Sequence, residues 1–230
     1  SQTRLESNSD IKVKGVKNVD IVNSHGSIEG LEIMSDFYDN IQNGTPSKVR
    51  IVHYTIEGDP IVTDLDFNGE SLEVTNDFTR DKYGSGAVTS TKCGSLMEEV
   101  NLTNTSYIAI DCAEGLNGLL EILQVNYNMS KQDLFEFELK YGIKQENEIN
   151  TRKKTWQTGT DTNNDFRISD DVKQEVYKRL ILANYLGEKD LMKTCDNKDA
   201  MNYFLKVYIN SGEREFQWST CDQSIDGEKL

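Results

Sequence analysis

Two histidines, four cysteines and a spaced set of carboxylates are the residues of this chain whose types could do chemistry. Histidine changes charge near neutral pH, so His53 between two carboxylates would form a proton-handling or cation-binding face. The stretch Val49 to Asn76 supplies the carboxylates. In its simplest strand registers His53 lies beside Asp64, and Asp64 beside Glu73. The plainer reading of this polar face is an exposed strand surface carrying charges, because one histidine near a carboxylate is routine. The plainer reading is preferred. His25 stands at the start of a helical pattern and reads as a capping or solvent residue.

Asp161, Asn163 and Asp165 fill the first, third and fifth ligand positions of a calcium loop. The sixth position, where the turn needs Gly, is Phe166, and the twelfth, where a bidentate Glu belongs, is Val172. Calcium is kept only as a minor alternative; the segment reads better as a loop leading into a helix cap at Ser169. No other cofactor is expected. Gly84-Ser85-Gly86 lacks the Lys-Ser/Thr of a phosphate loop and the spacing of a nucleophile elbow. No catalytic constellation is recognisable, and the expectation is a protein that is not an enzyme.

No two cysteines form a C-x-x-C, which argues against zinc and against a redox dithiol. Disulfides in an oxidising compartment, or buried free thiols in a cytosolic protein, remain. A hairpin turning at Asn101–Asn104 sets Cys93 directly opposite Cys112, a placement that suits a cross-strand disulfide. Cys195 precedes the last hairpin and Cys221 ends it, so a second bond would close that segment. Four cysteines allow three connectivities. The symmetry of the first pair favours disulfides.

The elements that must position these residues show in the hydrophobic pattern. Three alternating runs between Val49 and Asn76 are separated by Glu57–Pro60 and by Asn68-Gly69. A four-residue loop and a two-residue turn would set Ile56 opposite Ile61, Val52 opposite Leu65 and Leu65 opposite Leu72. Ser27 to Asn43 has helical spacing, and Ala87 to Val100 and Thr105 to Cys112 read as two further strands. Residues 25–113 thus predict a domain with a helix and a five-stranded antiparallel sheet, after a polar arm over 1–24. A connecting segment over 114–130 has apolar residues that suit a short helix. Residues 131–230 predict a second domain. Its parts are a strand at Phe135–Tyr141 with a partner at Glu148–Trp156, a helix from Ser169 to about Leu186, and a hairpin from Tyr203 to Thr220. In that hairpin Val207 would face Phe216. The expected class is α+β: two small domains, each an antiparallel sheet with a packed helix.

Composition narrows the partners. The net charge of -14 argues against nucleic acid and against unaided adsorption to an anionic membrane. At 36% hydrophobic residues and a mean hydropathy of -0.61 the chain is polar, yet rich enough in aromatics for two small cores. No run approaches the roughly 20 apolar residues of a membrane span. The polar opening Ser1 to Ser9 reads as the leader of a mature chain.

The stretches HGSIEGLEIMSDFYDNIQNG (25–44) and KVRIVHYTIEGDPIVTDLDFNGESLEVTND (48–77), then DKYG and two cysteines, resemble a family of uncharacterised lipoproteins of spore-forming Gram-positive bacteria. The resemblance covers roughly residues 20–112, and YTIEGDPI (54–61) is its most specific part. It implies a secreted protein, lipid-anchored on the outer face of the cell membrane through an acylated cysteine that this chain lacks. It carries over no catalytic or binding residue. The expected function is a non-catalytic binding or envelope-assembly module, monomeric, with an unknown protein or envelope partner. A secreted inhibitor of a hydrolase is the first alternative, and an enzyme with a metal-assisted site the second.

Overall fold

The computed structural model describes residues 11–230, which fall into two compact units meeting in sequence at Asn126 and Tyr127. Sheet dominates both. The first unit contains β1 (Ile21–Ser24), β2 (Ser27–Glu29), α1 (Leu31–Gln42), β3 (Ser47–Tyr54), β4 (Pro60–Phe67), β5 (Leu72–Asp77), β6 (Val88–Cys93), β7 (Ser95–Val100), β8 (Asn104–Ile110) and β9 (Leu120–Asn126). Its strands form two sheets, of order β2-β1-β3-β4-β5-β6 and β7-β8-β9. The single five-stranded sheet expected over 25–113 is thus corrected. The expected strand Ala87–Val100 breaks at Gly94, where a Cβ would meet Asp111 at 3.0 Å, and the chain passes there from one sheet into the other.

The polar arm expected over 1–24 is corrected for its described part; residues 1–10 lie outside the described residues. Val13, Val16, Val19 and Val22 pack on Val52 and Val62 in a small core on one face of the large sheet, and β1 runs parallel to β3. Every third residue here is valine, and burying that stripe outweighs the polar residues between. His25 is not at a helix start. With Gly26 it makes the two-residue β1–β2 turn, both at positive φ (52° and 91°). The helix begins only at Leu31, behind Gly30, whose added Cβ would lie 2.2 Å from the Asp20 carbonyl oxygen. Met34, Phe37 and Ile41 form the buried stripe of α1, which contacts β1, β3 and β7.

The meander registers differ from those expected. Val49, not Val52, faces Leu65, a slip of three residues that inverts β3. The loop is Thr55–Asp59: Thr55 N–H donates to the Asp59 carbonyl (2.9 Å), and Asp59 N–H to Thr55 Oγ1 (3.1 Å). Ile56 is therefore lifted out of the sheet. Between β4 and β5, Leu65 faces Val74 rather than Leu72, a shift of two that keeps the face. Asn68 Oδ1 accepts from both Glu70 N–H and Ser71 N–H at 2.9 Å, which makes the turn longer than the two residues of Asn68-Gly69.

The Cys93–Cys112 bond forms (S–S 2.06 Å), and β7 and β8 pair in the register that sets these residues opposite each other, Ser95 with Ile110 and Val100 with Thr105. The apolar stretch of the connecting segment 114–130 is strand rather than helix: it contains β9, paired to β8 with a bulge opposite Tyr107/Ile108, and a single 3-10 turn follows at Met129–Lys131.

The second unit holds β10 (Phe135–Gly142), β11 (Asn147–Asn150), β12 (Thr155–Thr158), β13 (Asp161–Asn163), α2 (Asp170–Leu182), β14 (Asn202–Ile209), β15 (Gly212–Ser219) and α3 (Ile225–Lys229). The strands form one sheet of order β13-β12-β11-β10-β14-β15, with antiparallel neighbours. Ser169 caps α2 by accepting from Val172 N–H, and Tyr177 packs edge-to-face on Phe135 at 5.1 Å. The expected strand Glu148–Trp156 is split by a turn at 151–154, where Lys154 takes φ 58°. In the last hairpin Leu205 rather than Val207 faces Phe216, again a shift of two that keeps the face. Cys195–Cys221 closes the segment (S–S 2.10 Å).

Candidate functional site

The inversion of β3 moves His53 from the charged face to the inner face of the large sheet, level with Asn23 on β1 and Ile61 on β4. The trio of His53, Asp64 and Glu73 is not brought together. Asp64 instead faces Arg50, which binds it with two nitrogens at 2.7 and 2.9 Å. Both groups are partly exposed, so this pair contributes only about 0–1 kcal/mol. Glu73 accepts from Ser90 Oγ at 2.8 Å and faces Asp66 across the ladder.

His53 lines a cleft of about 490 Å³ within the first unit. One wall is the end of the large sheet, with Asn23, His53, Thr63, Asn76 and Phe78; the other is β9. Two side-chain pairs order the polar wall. Thr63 Oγ1 donates to Asn76 Oδ1 at 2.7 Å. Asn23 Nδ2 lies 3.2 Å from His53 Nδ1, while Asn23 Oδ1 accepts from Gly26 N–H at 3.2 Å. The second bond fixes which end of the Asn23 amide faces the ring. An amide nitrogen only donates, so Nδ1 must accept, and the imidazole is neutral with its proton on Nε2. Burial depresses the His53 pKa in the same direction.

Two loops, 55–59 and 78–87, leave the large sheet at the strand ends next to His53 and Phe78. In the first, Ile56 is 90% exposed; in the second, residues 78–87, Tyr83 is 80% exposed. Asp59, itself buried, ties them together. Its Oδ2 accepts from Lys82 N–H at 3.0 Å, and its Oδ1 meets Lys82 Nζ at 3.3 Å. The Lys82 N–H holds the Asp59 carboxyl below the usual carboxylate range, helped by the Lys82 ammonium. Nothing in the hydrophobic pattern announces this tie, which joins residues 23 apart.

Chemically the cleft offers hydrogen bonding by uncharged groups, namely the His53 Nε2–H, the carboxamides of Asn76 and Gln124, and apolar surface from Ile61, Phe78 and Leu120. Glu121 is its one charged lining residue. Among the described residues the hydrogen-bond partner of His53 is Asn23 rather than a carboxylate, and Thr63 gives its proton to Asn76 rather than to the ring. Among the described residues no cluster of three or more His, Cys, Asp and Glu could hold a metal ion. Asp161 and Asn163 lie on the exposed edge strand β13, extended rather than wrapped, and Asp165 sits 3.6 Å from Arg167. Both disulfides fit an oxidising, extracytoplasmic compartment. Among the described residues no helix is long and apolar enough to cross a membrane.

A family model described as a domain of unknown function (DUF4362) matches residues 18–108. That span carries the large-sheet wall of the cleft and the two loops joined by Asp59, and ends before β9. None of the curated proteins or solved structures compared with the chain matches it.

Proposed function

We propose that this chain is a non-catalytic, extracytoplasmic binding module that docks on a protein partner in an envelope assembly. The observation that supports it is the pair of large apolar side chains, Ile56 and Tyr83, exposed on two loops that the buried Asp59 ties together. Large apolar groups on fixed loops lose little conformational freedom on binding, which is the economy of a preorganised interface. A benzophenone amino acid placed at 56 or at 83 in the native envelope should crosslink one and the same protein. The same probe at the exposed Gln157 should not, and Asp59→Asn should weaken both crosslinks. Equal labelling from all three positions would remove the reading. The lipid anchor implied by the resemblance belongs to the same proposal, and incorporation of labelled fatty acid into the full gene product tests it.

Inhibition of a secreted hydrolase is the second reading, favoured by Ile56 at a loop tip, where such an inhibitor presents an apolar side chain. It requires that the chain inhibit a secreted serine or metallo-hydrolase in titration, with Ile56→Ala weakening inhibition by at least about tenfold. Inhibition unchanged by that substitution would exclude the loop as the contact.

A further inference from the structure

β9 is an edge strand. The small sheet runs β7-β8-β9, and beyond β9 lies the cleft, lined by Leu120 through Gln124 and by Asn126. The phase of its backbone follows from the β7–β8 turn. Asn101 N–H donates to the Asn104 carbonyl at 2.8 Å, so even-numbered residues of β8 bond β7 and the odd-numbered Thr105 and Tyr107 bond β9. Their partners on β9 are Val125 and Leu123. Gln124, between them, therefore aims its N–H and C=O away from β8 and along the cleft. The bulge at Tyr107/Ile108 inserts Ile122, so Ile122 and Leu123 are buried consecutively and anchor the strand while this edge stays outward.

Resting on the binding reading above, we propose that the cleft takes an extended peptide segment, added as a fourth strand beside β9. An edge of outward peptide groups is complemented by another chain's peptide groups. The opposite wall repeats that chemistry, because His53 Nε2–H and the Asn76 amide are neutral hydrogen-bonding groups suited to a peptide backbone and its uncharged side chains. Ile61, Phe78 and Leu120 supply apolar seats between them. The one charged lining residue is Glu121, and the chain carries -14 overall. The segment bound is thus neutral to basic; a carboxylate or phosphate would meet no cation in the cleft.

The test uses the full chain and a displayed library of random dodecapeptides, from which the strongest binder is synthesised. Two further forms of it carry N-methyl groups on the odd or on the even residues, which removes alternate N–H donors and keeps every side chain. One methylated form should bind at least about tenfold more weakly and the other about as well as the parent. The parent peptide should slow amide exchange at Gln124. Gln124→Pro, which deletes the outward N–H, should weaken binding, and the methylated peptides keep the test open should that variant fail to fold. Equal binding of both methylated forms, or protection confined to Ile56 and Tyr83, overturns strand addition. A chito-oligosaccharide probe that slows Gln124 exchange when no peptide does overturns the peptide class and leaves the binding reading in place. Absence of peptide and sugar binding together with absence of the Ile56 and Tyr83 crosslinks removes both.

Discussion

Protonating His53 would set an Nδ1–H against the Nδ2–H that Asn23 already aims at it, and Asn23 cannot turn over without losing Gly26. Burial works in the same direction, depressing the pKa below its ordinary value of 6.5. A histidine with a lowered folded pKa contributes stability that is fully present above the unfolded value and lost as pH falls through the folded one. The thermal midpoint of the protein should therefore be level above about pH 6.5 and decline below it. His53→Gln keeps an acceptor for Asn23 and removes the titration, so its midpoint should be flat where the parent declines. The paired carboxylates Asp59 and Asp77 act at lower pH, since their partners hold them below 3.8, and a scan from pH 7 to 5 isolates the histidine. Parallel curves for parent and variant would mean that the ring titrates as it does in the unfolded chain.

Elements were legible where local chemistry decides them. Ser169 with two acids behind it defines the start of α2, and the even placement of Cys93 and Cys112 about the 101–104 turn defines a hairpin register that the structure keeps. β3 was legible as a strand but its register was not, because that register depends on a loop whose buried Asp59 finds its partner at Lys82, far along the chain. The candidate site shared that fate: His53 was singled out, but a register slipped by three residues gave it the wrong neighbours. β9 was hidden by its bulge, since two consecutive buried residues break the alternation that marks a strand. Turn glycines carry a testable share of this order. Gly30 sits at φ 80° with no room for a Cβ against Asp20, and Gly30→Ala should cost about 1–3 kcal/mol in denaturant unfolding. The Cys93→Ser/Cys112→Ser double variant frees a loop of sequence separation 19 and should lose about 3 kcal/mol. A loss near zero would show that the unfolded chain keeps these strands together without the bond.

At the scale of the whole molecule the two units each own a core. Met34, Phe37, Ile51 and Leu65 are buried in the first, Phe135, Phe137, Val207 and Phe216 in the second. We expect residues 11–126 and 127–230, expressed separately under oxidising conditions, each to unfold in one cooperative step by circular dichroism. A fragment without a cooperative transition would show that its core needs the rest of the chain. The strand that leaves the large sheet at Gly94 has a mechanical meaning as well. Cys93 and Cys112 clamp the chain on both sides of the β7–β8 hairpin, with Cα atoms 3.8 Å apart. Force applied through the ends of the protein passes across that clamp and never reaches the hairpin between. Pulled to full extension, the oxidised molecule should be about 60 Å shorter than the reduced one for this bond alone, from 19 residues at roughly 3.3–3.6 Å each. A protein under tension between partners would keep β7 and β8 folded after the large sheet had been drawn out.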